Sequence, residues 1–177
     1  NVRSQNVEEV HVIGTPSELI FFTKFVIPTM NPVNIGFVSD HSGFNFKENL
    51  IKLFKESGYS TVDYGCFSNR SCDYSDYIPI ACEGLDRFEV DIVMGSCRSG
   101  QGMNICANHQ KNIISVTPNN KESLLYSRKH NCPNFISFAS SIWDSREAFD
   151  AFDETFQKSH FEGGRHSTRI QKFLNYI

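Results

Sequence analysis

The stretch Cys97-Arg98-Ser99-Gly100-Gln101-Gly102 follows a short apolar run and leads into a helical pattern. Two glycines let the backbone turn tightly and approach a ligand, and a helix N-terminus offers unpaired N–H groups. An anion, a developing oxyanion or a thiolate is stabilised in such a place. Cys97, beside Arg98, is expected to ionise below the value of about 8.5 of a free thiol. It can then serve as a nucleophile or as a base. The competing reading is one more small buried thiol. The loop is not a dinucleotide fingerprint, because position 105 is Ile, and no phosphate-loop motif G-x4-G-K-[ST] occurs. The next arginine after Arg98 is too distant for a cysteine-phosphatase loop.

Four other stretches carry chemistry-bearing side chains. Asp40-His41-Ser42-Gly43 places an acid beside an imidazole, suited to hydroxyls or a phosphate; helix capping by Asp40 or Ser42 is the plain alternative. Asp73-Tyr74-Ser75-Asp76 offers a phenol, or simply a turn with a capping acid. Ser127-Arg128-Lys129-His130-Asn131 ends a helical pattern. His130 there is either a partner of the helix dipole or a proton carrier near neutral pH. Phe161-Glu162-Gly163-Gly164-Arg165-His166-Ser167-Thr168-Arg169 opens the last helical pattern. Arg165 and Arg169, four apart, share a face as a phosphate grip or as a solvated basic stripe.

The elements that must hold these residues are read from periodicity. Apolar runs predict strands over 34–39, 60–64, 91–96, 113–117 and 134–138. Helical spacing covers 44–57, 77–88, 101–109, 120–129, 145–158 and a tail from 163 to 177. Strands alternating with helices imply parallel βαβ units. The expected fold is α/β: a three-layer αβα sandwich on a five-stranded parallel sheet, flavodoxin- or Rossmann-like. Ligands of such sheets sit beyond the carboxyl ends of the strands, which selects loops 40–43, 65–76, 97–102, 118–120 and 139–145. Residues 1–33 stand apart as an N-terminal extension, an arm or remnant. Its apolar part, 19–28, could add an edge strand or lie in a surface groove. Residues 34–177 form the main domain.

Composition bounds the partners. The 177 residues carry 17 Lys plus Arg against 20 Asp plus Glu, a net charge of −3. That balance offers no general field for nucleic acid or an anionic membrane. The six cysteines show no C-x2-C or C-x4-C spacing, so a structural zinc site is not expected. With no basic segment followed by an apolar run near the start, and no apolar stretch of about twenty residues, the expected setting is soluble, reducing and cytoplasmic.

Taken together, the motifs resemble the ribose-5-phosphate isomerase B family, which includes the galactose-6-phosphate isomerase subunits. The match runs through Ser39-Asp40-His41-Ser42-Gly43 with Lys47; Asp73-Tyr74-Ser75-Asp76; Cys97-x-Ser99-Gly100-x-Gly102-Met103 with Ala107-Asn108; Ser127-Arg128-x-His130-Asn131 with Asn134; and Phe161-Glu162-Gly163-Gly164-Arg165-His166 with Arg169.

The resemblance implies an aldose–ketose isomerase acting on a small sugar phosphate, ribose 5-phosphate first, with no metal or organic cofactor. It implies a homodimer or homotetramer with sites shared between subunits. By the same resemblance, Cys97 is the proton-abstracting base, Ser99 stands beside the sugar oxygens, and the amides around Gly100 and Gly102 form an anion hole. His130 opens the sugar ring with Asn131 as its polar neighbour. Asp40, His41 and Tyr74 line the sugar, and Arg165 and Arg169 bind phosphate. Two departures stand out: Arg98 replaces the first glycine of the family's C-G-T-G-x-G, and Ser141 falls where the family has a phosphate-binding arginine. Residues 112–118 also differ from the family's Gly-Ile-Arg-Ala run. Another aldose phosphate as substrate, or a catalytically silent sugar-phosphate binder, are the alternatives. A redox-sensing role for Cys97 is a further one.

Overall fold

The computed structural model describes residues 22–30 and 32–174. The first twenty-one residues, most of the predicted extension, and the last three of the tail lie outside them. In chain order, a π-helical turn Phe22–Val26 runs into α1 (Ile27–Met30), followed by β1 (Asn34–Ser39), α2 (Phe44–Glu56), β2 (Ser60–Asp63), α3 (Tyr74–Asp86), β3 (Ile92–Cys97), α4 (Gln101–Asn108), β4 (Ser115–Val116), α5 (Lys121–Asn131), β5 (Phe135–Ala139), α6 (Ser145–Lys158) and α7 (Arg165–Leu174). All five strands pair in parallel, in the order β2-β1-β3-β5-β4. The last two strands are exchanged relative to the flavodoxin order 2-1-3-4-5. The reversal of direction still falls between β1 and β3.

The middle strands are mostly apolar because helices cover both of their faces. Every residue of β3 and β5 is buried, and five of six in β1. On one face Phe37, Leu50, Phe54, Ile136, Phe138, Phe149 and Phe152 pack α2 and α6 onto the sheet, with Leu124 joining from α5. On the other, Val38, Ile78, Ala81, Val93, Met103 and Ala107 pack α3 and α4. Asp91 sets where β1 begins: one carboxylate oxygen accepts the N–H groups of both Val33 and Asn34 at 2.8 Å.

Several boundaries differ from the sequence expectation. α3 begins at Tyr74 rather than 77 and tolerates Pro79 within it. β4 shrinks to two residues. The side-chain amide of Asn134 binds Ile114 N–H and Asn112 C=O, and that of Asn108 takes both main-chain groups of Ser115. Amides thus replace a longer ladder at this edge. Residues 22–30 form no edge strand; they wind as helix and bury Phe25 and Val26 against Ile114, Cys132 and Ile170.

Candidate active site

The reversal between β1 and β3 brings the first and third loops together. Asp40 N–H donates to the Ser96 carbonyl at 3.2 Å, and the Ser96 hydroxyl donates to the Gly43 carbonyl at 3.2 Å. Gly43 lies so close to the Ser96 backbone that any side chain there would collide. Asp40 is buried, and its Oδ1 accepts the N–H groups of Ser42 and Gly43 at 2.8 and 2.9 Å. Asp40 thus closes a tight turn ahead of α2, whose N-cap is Gly43 with no side-chain cap, so the capping alternative is not realised. His41 is exposed, with Nδ1 3.0 Å from the Cys72 carbonyl oxygen, which ties the first loop to the loop after β2.

Cys97 is the last residue of β3, not the first of the loop, and is 4% exposed. Its carbonyl accepts from Ser140 N–H at 3.0 Å and lies 3.2 Å from the Ser140 hydroxyl. Arg98 and Ser99 are exposed beyond it. Gly100 then turns the chain with φ +72°, a left-handed conformation that favours glycine, and its carbonyl accepts the Ser137 hydroxyl at 2.6 Å. Gly102, in the first turn of α4, leaves room for the Tyr74 phenol, which a methyl group there would strike. Ser141 donates to the Arg98 carbonyl through its N–H at 3.1 Å and its hydroxyl at 2.7 Å, so residues 98 and 141 adjoin. Asp40, His41, Tyr74, Cys97, Arg98, Ser99, Gly100 and Gly102 thus share one end of the sheet.

His130, Asn131, Arg165 and Arg169 do not lie there. α5 carries the chain from the carboxyl end of β4 back to the amino end of β5, over eleven residues or about 16 Å. His130 therefore sits at the amino edge. The five residues of β5, about 13 Å at 3.3 Å per step, separate it from the end where Ala139 pairs with Cys97. At this second corner His130 stacks on His166, ring centroids 4.3 Å apart, and His130 Nε2 lies 3.4 Å from Glu162. Glu162 N–H donates to the Lys129 carbonyl at 2.9 Å, and Lys129 Nζ approaches its carboxylate at 3.4 Å. Burial, then the charges of His130, Arg165 and Arg169, push the His166 imidazole below its ordinary value of 6.5. Hydrogen bonding to Lys129 holds Glu162 below the usual carboxylate range. Glu162 and His166 carried no assigned role in the sequence reading, although both stand in its last motif.

His130, Glu162 and His166 bring ligand atoms within 4.8 Å of one another. The two rings are parallel to within 5°, so an ion in the plane of one lies outside the plane of the other. Lys129, Arg165 and Arg169 bring positive charge to the same corner, beside the Glu162 carboxylate. Two surface concavities of about 350 and 390 Å³, one by Asp144 and Arg146 and one by Gly58 and Tyr59, hold none of the candidate residues.

One end of the sheet thus holds the thiol and the left-handed turn into α4, and the other holds the histidine–arginine corner. The chain belongs to the ribose/galactose isomerase family, whose sequence model matches residues 35–173. It is 30% identical over 137 residues to ribose-5-phosphate isomerase B of Escherichia coli, covering 77% of this chain and 91% of that one. Among solved structures it resembles ribose-5-phosphate isomerase B of Thermotoga maritima, with TM-score 0.77 and 30% identity, over 82% of this chain and 99% of the other. The Clostridium thermocellum enzyme of the same name gives TM-score 0.76 and 33% identity, over 81% and 96%. This chain is accordingly a sugar phosphate isomerase of that type, with a small sugar phosphate as substrate. Among the described residues no helix is long and apolar enough to cross a membrane.

Proposed function

We propose that the protein interconverts ribose 5-phosphate and ribulose 5-phosphate, as a homodimer or a pair of dimers whose sites are completed across the subunit boundary. The placement of Cys97 carries this reading. It ends a fully buried strand at the switch point, three residues before the left-handed Gly100 that opens α4. The Cys97 thiolate takes the proton from C2 of the open aldose. The C2–H electron pair becomes a C1–C2 double bond, and the carbonyl pair moves onto O1. A proton passes from O2 to O1, the O2 pair then forms the C2 carbonyl as the double-bond pair takes the proton back from the Cys97 thiol at C1, and the ketose and the thiolate are left. Amides at the start of α4 and the Ser99 hydroxyl stabilise the enediolate charge, each donor contributing about 2.7–4 kcal/mol. Asp40, His41 and Tyr74 hold the sugar hydroxyls.

Ring opening and the phosphate grip fall to the partner's His130, Asn131, Arg165 and Arg169, since one chain holds them at the far end of its sheet. A resemblance supports the substrate: the ribose-5-phosphate isomerase B of Mycoplasma genitalium, 26% identical with TM-score 0.73, has been solved with bound ribulose 5-phosphate. Six free thiols suit a reducing cytoplasm. The test is turnover of a panel of four- to six-carbon aldose phosphates. The expected result is ribose 5-phosphate as the best substrate and a loss of about 10²–10⁴-fold in kcat for Cys97→Ser. A better hexose phosphate, or undiminished turnover by the variant, contradicts it.

Arg98 takes part in holding the phosphate. Its backbone adjoins Ser141, so its guanidinium replaces charge that an arginine at 141 would supply. Arg98→Ala is expected to raise KM with kcat nearly unchanged; an unchanged KM rejects the role.

A further inference from the structure

Residues 22–30 precede the part of the chain that the family model matches, yet they are packed into the corner that holds His130. Their anchor is Arg128, which is fully buried two residues before His130 on α5. Its Nη2 donates to the Thr29 carbonyl at 2.7 Å and its Nη1 to the Thr29 hydroxyl at 3.2 Å. The guanidinium also lies 4.9 Å from the centre of the Phe156 ring. No carboxylate among the described residues pairs with it, and its Nε has no hydrogen-bond partner there. A buried cation held this way depends on every acceptor it has.

The segment also fixes how α5 ends. Cys132 follows the last helical residue in a left-handed conformation, φ 51°, unusual for a residue with a side chain. Its thiol donates to the Phe25 carbonyl at 3.4 Å and lies 3.5 Å from the Thr29 hydroxyl. Phe25, with no exposed surface, touches the same cluster as Cys132 and as Ile170, which directly follows Arg169 on α7. One small core therefore grips the last turn of α5 and the middle of α7. The side chains of those two helices meet above it as the His130–His166 stack.

We infer that residues 22–30 are a brace for the anion corner: through Arg128 and Cys132 they hold α5 against α7 and so set the spacing of His130, His166, Arg165 and Arg169. Arg128, Thr29 and Phe25 are positioning residues that touch no substrate. The inference rests on the reading of this corner as the phosphate-holding half of the site.

The test is binding of inorganic phosphate to the full chain, by calorimetry and by NMR titration of the His166 imidazole. It is run on the wild type, Phe25→Ala, Thr29→Val and Thr29→Ser. Leu50→Ala, in the main core on α2, serves as a destabilised control. Phe25→Ala and Thr29→Val are expected to weaken phosphate by about fivefold or more. They also raise the His166 midpoint toward 6.5 as the imidazole moves from cover and from the charges of His130, Arg165 and Arg169, with Glu162 and Lys129 the other charged groups facing it. Thr29→Ser keeps the hydroxyl and wild-type binding, and the Thr29 pair decides the matter if Phe25→Ala does not fold. The brace is overturned if phosphate affinity and the His166 midpoint are unchanged, if Leu50→Ala weakens phosphate equally, or if the wild type binds no phosphate at His166. Turnover of ribose 5-phosphate is measured alongside. Its absence with the expected phosphate results removes the substrate assignment and leaves the brace standing.

Discussion

His166 shows how one side chain reports on its surroundings. Burial and then the charges of His130, Arg165 and Arg169 disfavour its protonation in the fold, so its folded value lies below 6.5. The unfolded chain takes up that proton first, so stability rises with pH across the window between the folded value and 6.5. Acidification from about pH 7 is expected to lower the melting temperature. His166→Gln, measured across the same range, flattens the dependence; an equally steep fall in the variant assigns it to other groups. The residue scale is also where sequence reading was least complete. The motif containing His166 was visible, but its stacking on His130 depends on two helices meeting, which no local pattern encodes. Lys47 is another case: it lies on the apolar face of α2, and its ion pairs with Asp63 at 2.5 Å and Glu48 at 3.0 Å, together with the rings of Phe44 and Phe67, make its burial tolerable.

At the scale of elements, periodicity located every strand and main helix because the buried faces are continuous and their ends are marked. Asp144 caps α6 by accepting Arg146 N–H at 2.8 Å, and Asn120 caps α5 by accepting Ser123 N–H at 2.8 Å. β4 was overdrawn because Ile113 and Ile114 are as apolar as a strand, while the side-chain amides of Asn108 and Asn134 take its hydrogen bonds. The turn into α4 gives the sharpest test here. At Gly100 a methyl group would meet a left-handed backbone, Thr117 Cγ2 at 2.8 Å and the Ser137 carbonyl oxygen at 3.0 Å. Gly100→Ala is expected to cost about 2 kcal/mol and to lower the melting temperature by about 4–8 °C. A change under 1 °C would show that the turn relaxes freely.

For the whole molecule, the decisive fact is that parallel topology sends the two halves of the candidate machinery to opposite ends of the sheet. Cys97 ends β3, whereas His130 ends a helix that returns to the amino edge. The residues were legible in the sequence; their separation follows only once the direction of α5 is known. In the proposed reading a second copy completes the site by presenting its His130 corner to the Cys97 end of the first. In a two-fold dimer that arrangement is reciprocal, giving two identical composite sites. Mixing two inactive variants, Cys97→Ser and His130→Ala, tests it most directly. Random exchange makes half of the dimers mixed, and each mixed dimer holds one site with both native residues. Mixed and re-equilibrated chains are expected to regain about a quarter of wild-type turnover of ribose 5-phosphate. Turnover no higher than that of the separate variants would contradict it.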